Sequence, residues 1–362
     1  MDPLTHLLTG ACLGRAGFNR KTALATLTLA ISAEIPDLDV ASLIKGPVVA
    51  FACHRGFTHT LLGVPFDAAL TLALVYPLWR LYLGLLRWRK SRKPAPPNSE
   101  HEAALPPAPS LAPRWGLLFI YGCIGALSHI LLDFTNNYGV RPFWPFYSKW
   151  YSWDIVFIIE PLLWAALILG LVVPSLFGLI QDEITTSGKR RQFRGRPAAI
   201  AALLCMVALW GARDFEHRRA IGLLKNFLYD GAPPLRASAY PYPFSPFQWH
   251  GVVETKDDFR LLPVDSLAGE VDPQGTGRTR YKPEETPAAQ AAKKSYLGRV
   301  FLGWAQYPIV ETEAHADPAA AYTVRFSDLR YAYPNRTTSL TGRVELDQKL
   351  NVVRQCFGRS CE

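Results

Sequence analysis

Four short clusters of histidine and aspartate stand out in the sequence: Thr5-His6, Pro36-Asp-Leu-Asp39, His54-Arg-Gly-Phe-Thr-His59 and Ser128-His-Ile-Leu-Leu-Asp133. Imidazole and carboxylate together are the donors that hold a divalent cation. His129 and Asp133 are four residues apart, which on a helix sets both on one face, where one ion can sit between them. Asp37 and Asp39 follow a proline at the end of an apolar run, a placement that suits a bridging or bidentate carboxylate. His54 and His59 flank a turn containing Gly56, directly before a long apolar segment. The candidate ligands are therefore His6, Asp37, Asp39, His54, His59, His129 and Asp133. Zinc suits this mixed set best, with manganese and iron as alternatives. Asp37 or Asp39 is the candidate base, and Arg55 is either a cation for a substrate phosphate or an ion-pair partner of these aspartates.

Each cluster has a plainer alternative. A single histidine among apolar residues usually packs and hydrogen-bonds between helices, and Asp-Leu-Asp is common in loops. The joint occurrence weighs more, because ionisable groups at membrane depth are costly and are kept for function. Asp154 is read either as a helix N-terminal charge favoured by the dipole or as a member of the site. Asp67, Arg80 and Glu160 are expected to pair inside the helical part. His101, His217, His250 and His315 fall in a linker, a basic helix, a strand and a polar loop, and are not expected to be ligands.

The elements that must position these groups are apolar helices. Thr58 to Leu86, Trp115 to Phe134 and Ile155 to Ile180 are long enough for the ~20 residues that span a bilayer. A shorter stretch from Pro197 to Trp210 is expected to continue towards Phe227. Leu4 to Arg15 and Thr22 to Ile35 read as two shorter helices, a half-membrane hairpin. The net charge of +9 is concentrated in loop clusters such as Arg87–Lys93 and Lys189–Arg196. That pattern is the positive-inside signature of a membrane protein and not a nucleic-acid stripe. With those clusters in the cytoplasm, all four His/Asp clusters map to the opposite, outer face. No basic n-region precedes the first apolar residues, so no cleavable signal peptide is expected.

Residues 93–113 are proline-rich and read as a disordered linker. Beyond residue 230, Gln248–Glu254 and Asp258–Val264 read as a hairpin around Lys256-Asp257. Tyr322–Tyr333 and Leu340–Cys356 are further strands, the latter folded at Asp347-Gln-Lys. Ala288–Trp304 reads as one helix behind Pro287. Cys356 and Cys361 can pair if that end lies in an oxidising compartment. The expected fold is mainly α: a polytopic helical membrane domain over 1–215, then a small soluble α+β domain over 216–362.

The motifs Met1-Asp-Pro-Leu-Thr-His6, Pro36-Asp-Leu-Asp39, His54-Arg-Gly-Phe-Thr-His59 and His129-Ile-Leu-Leu-Asp133, followed by Asn137-Tyr-Gly139, resemble those of the YdjM-type membrane-bound metal-dependent hydrolases. The resemblance covers roughly residues 1–180. The order of motifs is also similar, more distantly, to the zinc-dependent phospholipase C and single-strand nuclease superfamily. That similarity implies phosphoester hydrolysis by a helical metal cluster, with ligand roles for His6, Asp37 or Asp39, His54 or His59, His129 and Asp133. No clear second helical His-x-x-x-Glu/Asp pair follows residue 133, which points to one or two ions. The expected function is hydrolysis of a phosphoester at the outer face of a bacterial-type inner membrane. Membrane lipids are the expected partners, a lipid or lipid-linked molecule the expected substrate, and nucleic acid is not. The alternative is a non-catalytic protein with a structural metal and an envelope-binding outer domain.

Overall fold

The computed structural model describes residues 1–91, 111–184, 195–334 and 340–361. The expected linker lies outside these residues except for its last three, and so does most of the Lys189–Arg196 cluster. Among the described residues, seven helices build the N-terminal part: α1 (Pro3–Ala16), α2 (Ala25–Ser32), α3 (Pro47–Cys53), α4 (Val64–Ser91), α5 (Trp115–Thr135), α6 (Pro161–Ile184) and α7 (Arg196–Asn226). A 3-10 segment, Ile35–Lys45, joins α2 to α3, and a short one, Phe57–His59, precedes α4. Among the described residues, three helices are long and apolar enough to cross a membrane: Val64–Arg89, Trp115–Thr135 and Arg196–Asn226. Much of α4 is open, with Leu74, Leu78, Leu81 and Leu85 exposed.

α2 is the hub. At Gly10 of α1 an added Cβ would lie 2.4 Å from the Leu29 carbonyl oxygen, and at Gly125 of α5 it would lie 2.8 Å from Ser32 Cβ. Small residues thus let α1 and α5, the helices carrying His6 and His129, close on α2 from two sides. Ser32 seals the second contact by donating to the Gly122 carbonyl.

The third apolar stretch begins later than its composition suggests. Helix α6 starts at Pro161, and residues 151–156 form a loop bridged to the segment after α5 (Val140 with Tyr151, Asn136 with Val156). Pro161 has no N–H to give and suits a first helical position. Asp154 is therefore not a helix N-terminal charge; it lies in this loop in a left-handed conformation (φ 59°). The fourth stretch continues without a break, so α7 runs through residue 215 and its end packs, through Ala220 and Leu224, against the first sheet.

Among the described residues, the C-terminal part holds two antiparallel sheets. The first pairs β1 (Arg236–Pro241), β2 (Gln248–Glu254), β3 (Asp258–Asp265) and β4 (Glu270–Val271) in that order, with β5 (Arg278–Tyr281) also on β3. The second runs β10 (Ser360–Cys361), β9 (Val352–Phe357), β8 (Gly342–Leu346), β7 (Tyr322–Asp328), β6 (Pro308–Ala314). The expected Gln248–Val264 hairpin is present, with Val252 opposite Leu261. The expected single helix is two, α8 (Pro287–Lys294) and α9 (Tyr296–Trp304), because Ser295 turns extended and its side chain accepts from Gly298 N as a cap. The strand from Tyr322 stops at Asp328, where Leu329–Tyr331 turns into a 3-10 helix. Cys356 and Cys361 are joined by a disulfide. The core of the second sheet takes in Val48 and Phe51 of α3 and Tyr138, so the two parts share packed side chains beside the His/Asp clusters.

Candidate metal centre

The site assembles where α1, the Ile35–Lys45 segment, the Phe57–His59 turn and the end of α5 meet. Asp37, His59, His129 and Asp133 each offer one ligand atom within 4.8 Å of the others. His59 Nε2 and His129 Nε2 are 3.0 Å apart. Asp133 Oδ2 is 3.4 Å from each of them, and Asp37 Oδ1 is 3.4 Å from His59 Nε2 and 3.5 Å from His129 Nε2.

Hydrogen bonding on the far side of each ring decides what faces the centre. His129 Nδ1 lies 2.7 Å from the Ala33 carbonyl, which only accepts, so in the neutral ring the proton sits on Nδ1 and Nε2 presents a lone pair. His59 Nδ1 lies 3.2 Å from Thr58 Oγ1, whose own proton goes to the Pro36 carbonyl at 2.8 Å. It also lies 3.4 Å from Asp39 Oδ2. His59 therefore also turns a lone pair inward. Two lone pairs facing at 3.0 Å repel unless something positive lies between them, and Asp133 Oδ2 is buried there with no hydrogen-bond donor among the described residues. A tetrahedral ion with ligand bonds of about 2.0–2.1 Å has ligand–ligand edges of about 3.3 Å, close to the separations found. The residues fit a divalent metal.

The surrounding residues hold these ligands. Asp39 Oδ2 accepts from Arg55 N at 2.7 Å, and Oδ1 lies 3.1 Å from His54 Nδ1, so Asp39 stands behind the ligand cluster. Arg55 is buried and turned inward. Its Nη2 donates to Asp133 Oδ1 at 2.8 Å, and its Nη1 donates to the Gly139 carbonyl at 2.8 Å and to Asn136 Oδ1 at 3.3 Å. Its guanidinium also covers the Tyr138 ring, 4.6 Å from the centroid. Of its two expected roles, the ion pair is the one formed, with Asp133 in place of Asp37 or Asp39. The Met1 amine contacts the same Asp133 oxygen.

His6 stacks on His129 with ring centroids 3.7 Å apart. Its Nε2 is 3.4 Å from Asp133 Oδ1, and neither ring nitrogen has a hydrogen-bond partner among the described residues. His54 stands apart, its side chain 37% exposed at the rim. The structure thus brings Asp37, His59, His129 and Asp133 into one cluster, sets His6 against it, and leaves Asp39, His54 and Arg55 one layer out.

Composition alone did not single out Asn136, the Ala33 carbonyl or Thr58 as parts of the site. The Asn136-Asn137-Tyr138-Gly139 run just past an apolar helix was the available signal for the first. Ala33 acts through its backbone, which no side-chain pattern reports. Asp154 lies outside the cluster; burial pushes its carboxyl up to about 6, against Ser152 and nearby Arg330. Glu160 pairs with Arg213 at 2.7 Å, whereas Asp67 is buried with no hydrogen-bond partner among the described residues. His217 binds the Ala239 carbonyl and His250 the Leu329 carbonyl, and burial pushes His250 down to about 4. His315 bonds to Thr323, and His101 lies outside the described residues.

The profile of the YfhP C-terminal alpha/beta plait domain matches residues 287–361, the stretch that holds α8, α9 and the second sheet. The uncharacterized protein YfhP of Bacillus subtilis (strain 168) is 23% identical over 340 residues, covering 91% of this chain and 87% of that protein. No solved structure matches the chain significantly. The profile of the YdjM inner membrane protein matches residues 1–220, more than half the chain and all the elements that carry the His/Asp clusters. With its apolar helices and this match, the chain is a membrane protein and belongs to the YdjM inner membrane protein family.

Proposed function

We propose that this chain is a metal-dependent hydrolase of ester or phosphoester bonds, working at one face of the membrane. The observation that carries the reading is the pair of inward-facing Nε2 lone pairs 3.0 Å apart, beside the undonated Oδ2 of Asp133. Asp37, His59, His129 and Asp133 would hold the ion, zinc being the best match to the donor set. Such an ion supplies Lewis acidity and makes water a nucleophile near neutral pH.

The chain's own groups supply the rest. Asp39 and Ala33 orient the two imidazoles, and Arg55 holds Asp133 so that Oδ2 faces inward. Asp37, its side chain 27% exposed, is the ligand open to solvent and the best-placed base. His54, tied to Asp39 at the rim, is placed to pass a proton outward. We also read the chain as multi-pass, in a bacterial-type plasma membrane, with a membrane domain near 1–215 and the C-terminal domain outside the cytoplasm. The basic clusters at residues 87–93 and 189–196 support that orientation, as does the Cys356–Cys361 disulfide.

A second reading, a purely structural metal, draws on the burial of His59, His129 and Asp133, since structural sites are closed. Elemental analysis of detergent-purified protein, beside His129→Ala and Asp133→Ala, tests both. Metal near one ion per chain that is lost in both variants is expected, together with metal-dependent release of p-nitrophenol from bis(p-nitrophenyl) phosphate or p-nitrophenyl esters. Unchanged metal content in folded variants sinks the site. Bound metal without turnover of either ester class favours the structural reading.

A further inference from the structure

Beside the metal cluster the structure holds a cavity of about 370 Å³ that the ligands do not use. Its walls are mainly apolar, from Leu38, Ala52, Cys53, Phe57 and Trp144, and its lining also takes in Asp39 and Thr58, the residues that orient His59. Around it lies an unusual run of open apolar side chains. Leu38, Val40, Leu43 and Ile44 of the 3-10 segment are 50–92% exposed, and Phe143, Phe146 and Tyr147 are 48–85% exposed. Leu61 and Leu62, also exposed, join the two groups, because Leu61 N donates to the Pro142 carbonyl.

This belt sits where α4 begins and near where α5 ends, at one end of two membrane-length helices. Aromatic and aliphatic side chains at such a level lie in the interfacial layer of a bilayer. A soluble face would not leave Ile44 and Phe146 almost wholly open to water.

The cavity also carries one cation. Arg141 lies on its wall, stacked over Trp150 at 4.5 Å, and its Nη2 donates to the Ala52 carbonyl at 3.1 Å. Its Nε is buried with no acceptor among the described residues. An apolar chamber that opens in the interfacial belt, with a guanidinium on its wall and behind it a His/Asp cluster that fits a divalent metal, matches an amphiphile with an anionic head. From this geometry we infer that the cavity is the lipid-chain subsite, and that it seats an acyl chain of a membrane phospholipid with the phosphate towards Arg141 and the metal cluster. The inference rests on the metal-site reading only for what happens to the phosphate; occupancy by the chain is independent of it.

The test uses full-length protein in nanodiscs of phosphatidylglycerol and phosphatidylethanolamine. A small fraction of the phosphatidylglycerol carries a mid-chain diazirine, and metal content is measured on the same sample. On irradiation, adducts are expected within residues 38–58 and 141–147 as well as on the outer faces of α4 and α7. Ala52→Phe, which fills the chamber, is expected to lower the cavity adducts by about tenfold, equivalent to about 1.4 kcal/mol of occupancy, while α4 and α7 adducts stay constant. Cys53→Trp fills it from the exposed rim and repeats the test should Ala52→Phe fold poorly. Cavity adducts that are absent, or unchanged in both variants, overturn the inference, and the belt then holds bulk lipid only. Cavity adducts that form in wild-type protein holding no metal, and fall in the two variants, uphold the subsite and remove the hydrolase reading. Bound metal without cavity adducts does the reverse.

Discussion

At the residue scale, the candidate metal centre illustrates how much of such a site lies behind the groups that could ligate. Asp39 was a natural ligand candidate, equal to Asp37 in type and two residues away. The 3-10 turn sends them in different directions, Asp37 towards the two Nε2 atoms and Asp39 to the far side of His59 and to the Arg55 backbone N–H. Arg55 has a left-handed backbone (φ 52°), and the Asp39 carboxylate holds that turn. Groups that orient a ligand typically change metal affinity by about 10–100-fold when removed. Asp39→Ala is therefore expected to weaken metal binding by about that factor while leaving the stoichiometry at saturation unchanged. Titration with a competing chelator reads this out, and a lost binding equivalent would instead make Asp39 a ligand. His129 with Asp133 was legible in advance because the helical period sets i and i+4 on one face. The split between Asp37 and Asp39 was not, since it depends on the path of an irregular turn.

At the element scale, the site depends on how closely α1, α2 and α5 approach. His6 and His129 stack only because both parent helices crowd α2 at glycines, and the Ala33 carbonyl that orients His129 ends α2 itself. Gly125→Val would press on Ser32 and on the Leu29 carbonyl. Overpacking of this kind costs about 1–3 kcal/mol. Because α2 would be displaced from His129, both thermal stability and bound metal are expected to fall; a variant that loses stability but keeps full metal affinity would show that the crossing does not position the site. The apolar runs made the helices readable. The start of α6 at Pro161 was not, because residues 155–159 are as apolar as a helix, while Tyr151 and Val156 bridge to the segment after α5 instead.

At the scale of the whole molecule, the C-terminal part grips the segment that grips the His/Asp cluster. Arg330 Nη1 and Tyr331 Oη both donate to the Asn137 carbonyl, at 2.8 and 3.1 Å, and Trp304 Nε1 donates to the Tyr138 carbonyl at 3.1 Å. The flanking Asn136 and Gly139 accept from Arg55, which holds Asp133. Asp154 lies at this junction, with Oδ1 buried and unpartnered among the described residues. Burial raises its pKa from 3.8 to about 6, so between those values the unfolded chain is ionised while the folded chain keeps its proton. Stability therefore falls as pH rises through this window, and the cost is fully present at neutral pH. Asp154→Asn, which tolerates the left-handed backbone, is expected to raise stability at pH 7.5 by on the order of 2 kcal/mol, with the gain gone below about pH 4. Melting curves across pH check this; a gain independent of pH would assign the effect to packing rather than to the proton.

By itself the sequence determined the class of the protein: apolar runs of membrane length, a polar α+β tail, and histidines and aspartates whose types suit a divalent cation. Composition and period carry that information because they follow from local chemistry and from 3.6-residue geometry. Only the tertiary structure decided which four donors converge, that Arg55 turns inward, that an apolar cavity adjoins the site and that the C-terminal part braces it. Those outcomes depend on groups far apart in the chain, such as Asp37 with Asp133 or Arg330 with Asn137, and on backbone carbonyls. Their meeting is set by close packing at α2 and not by any local spacing.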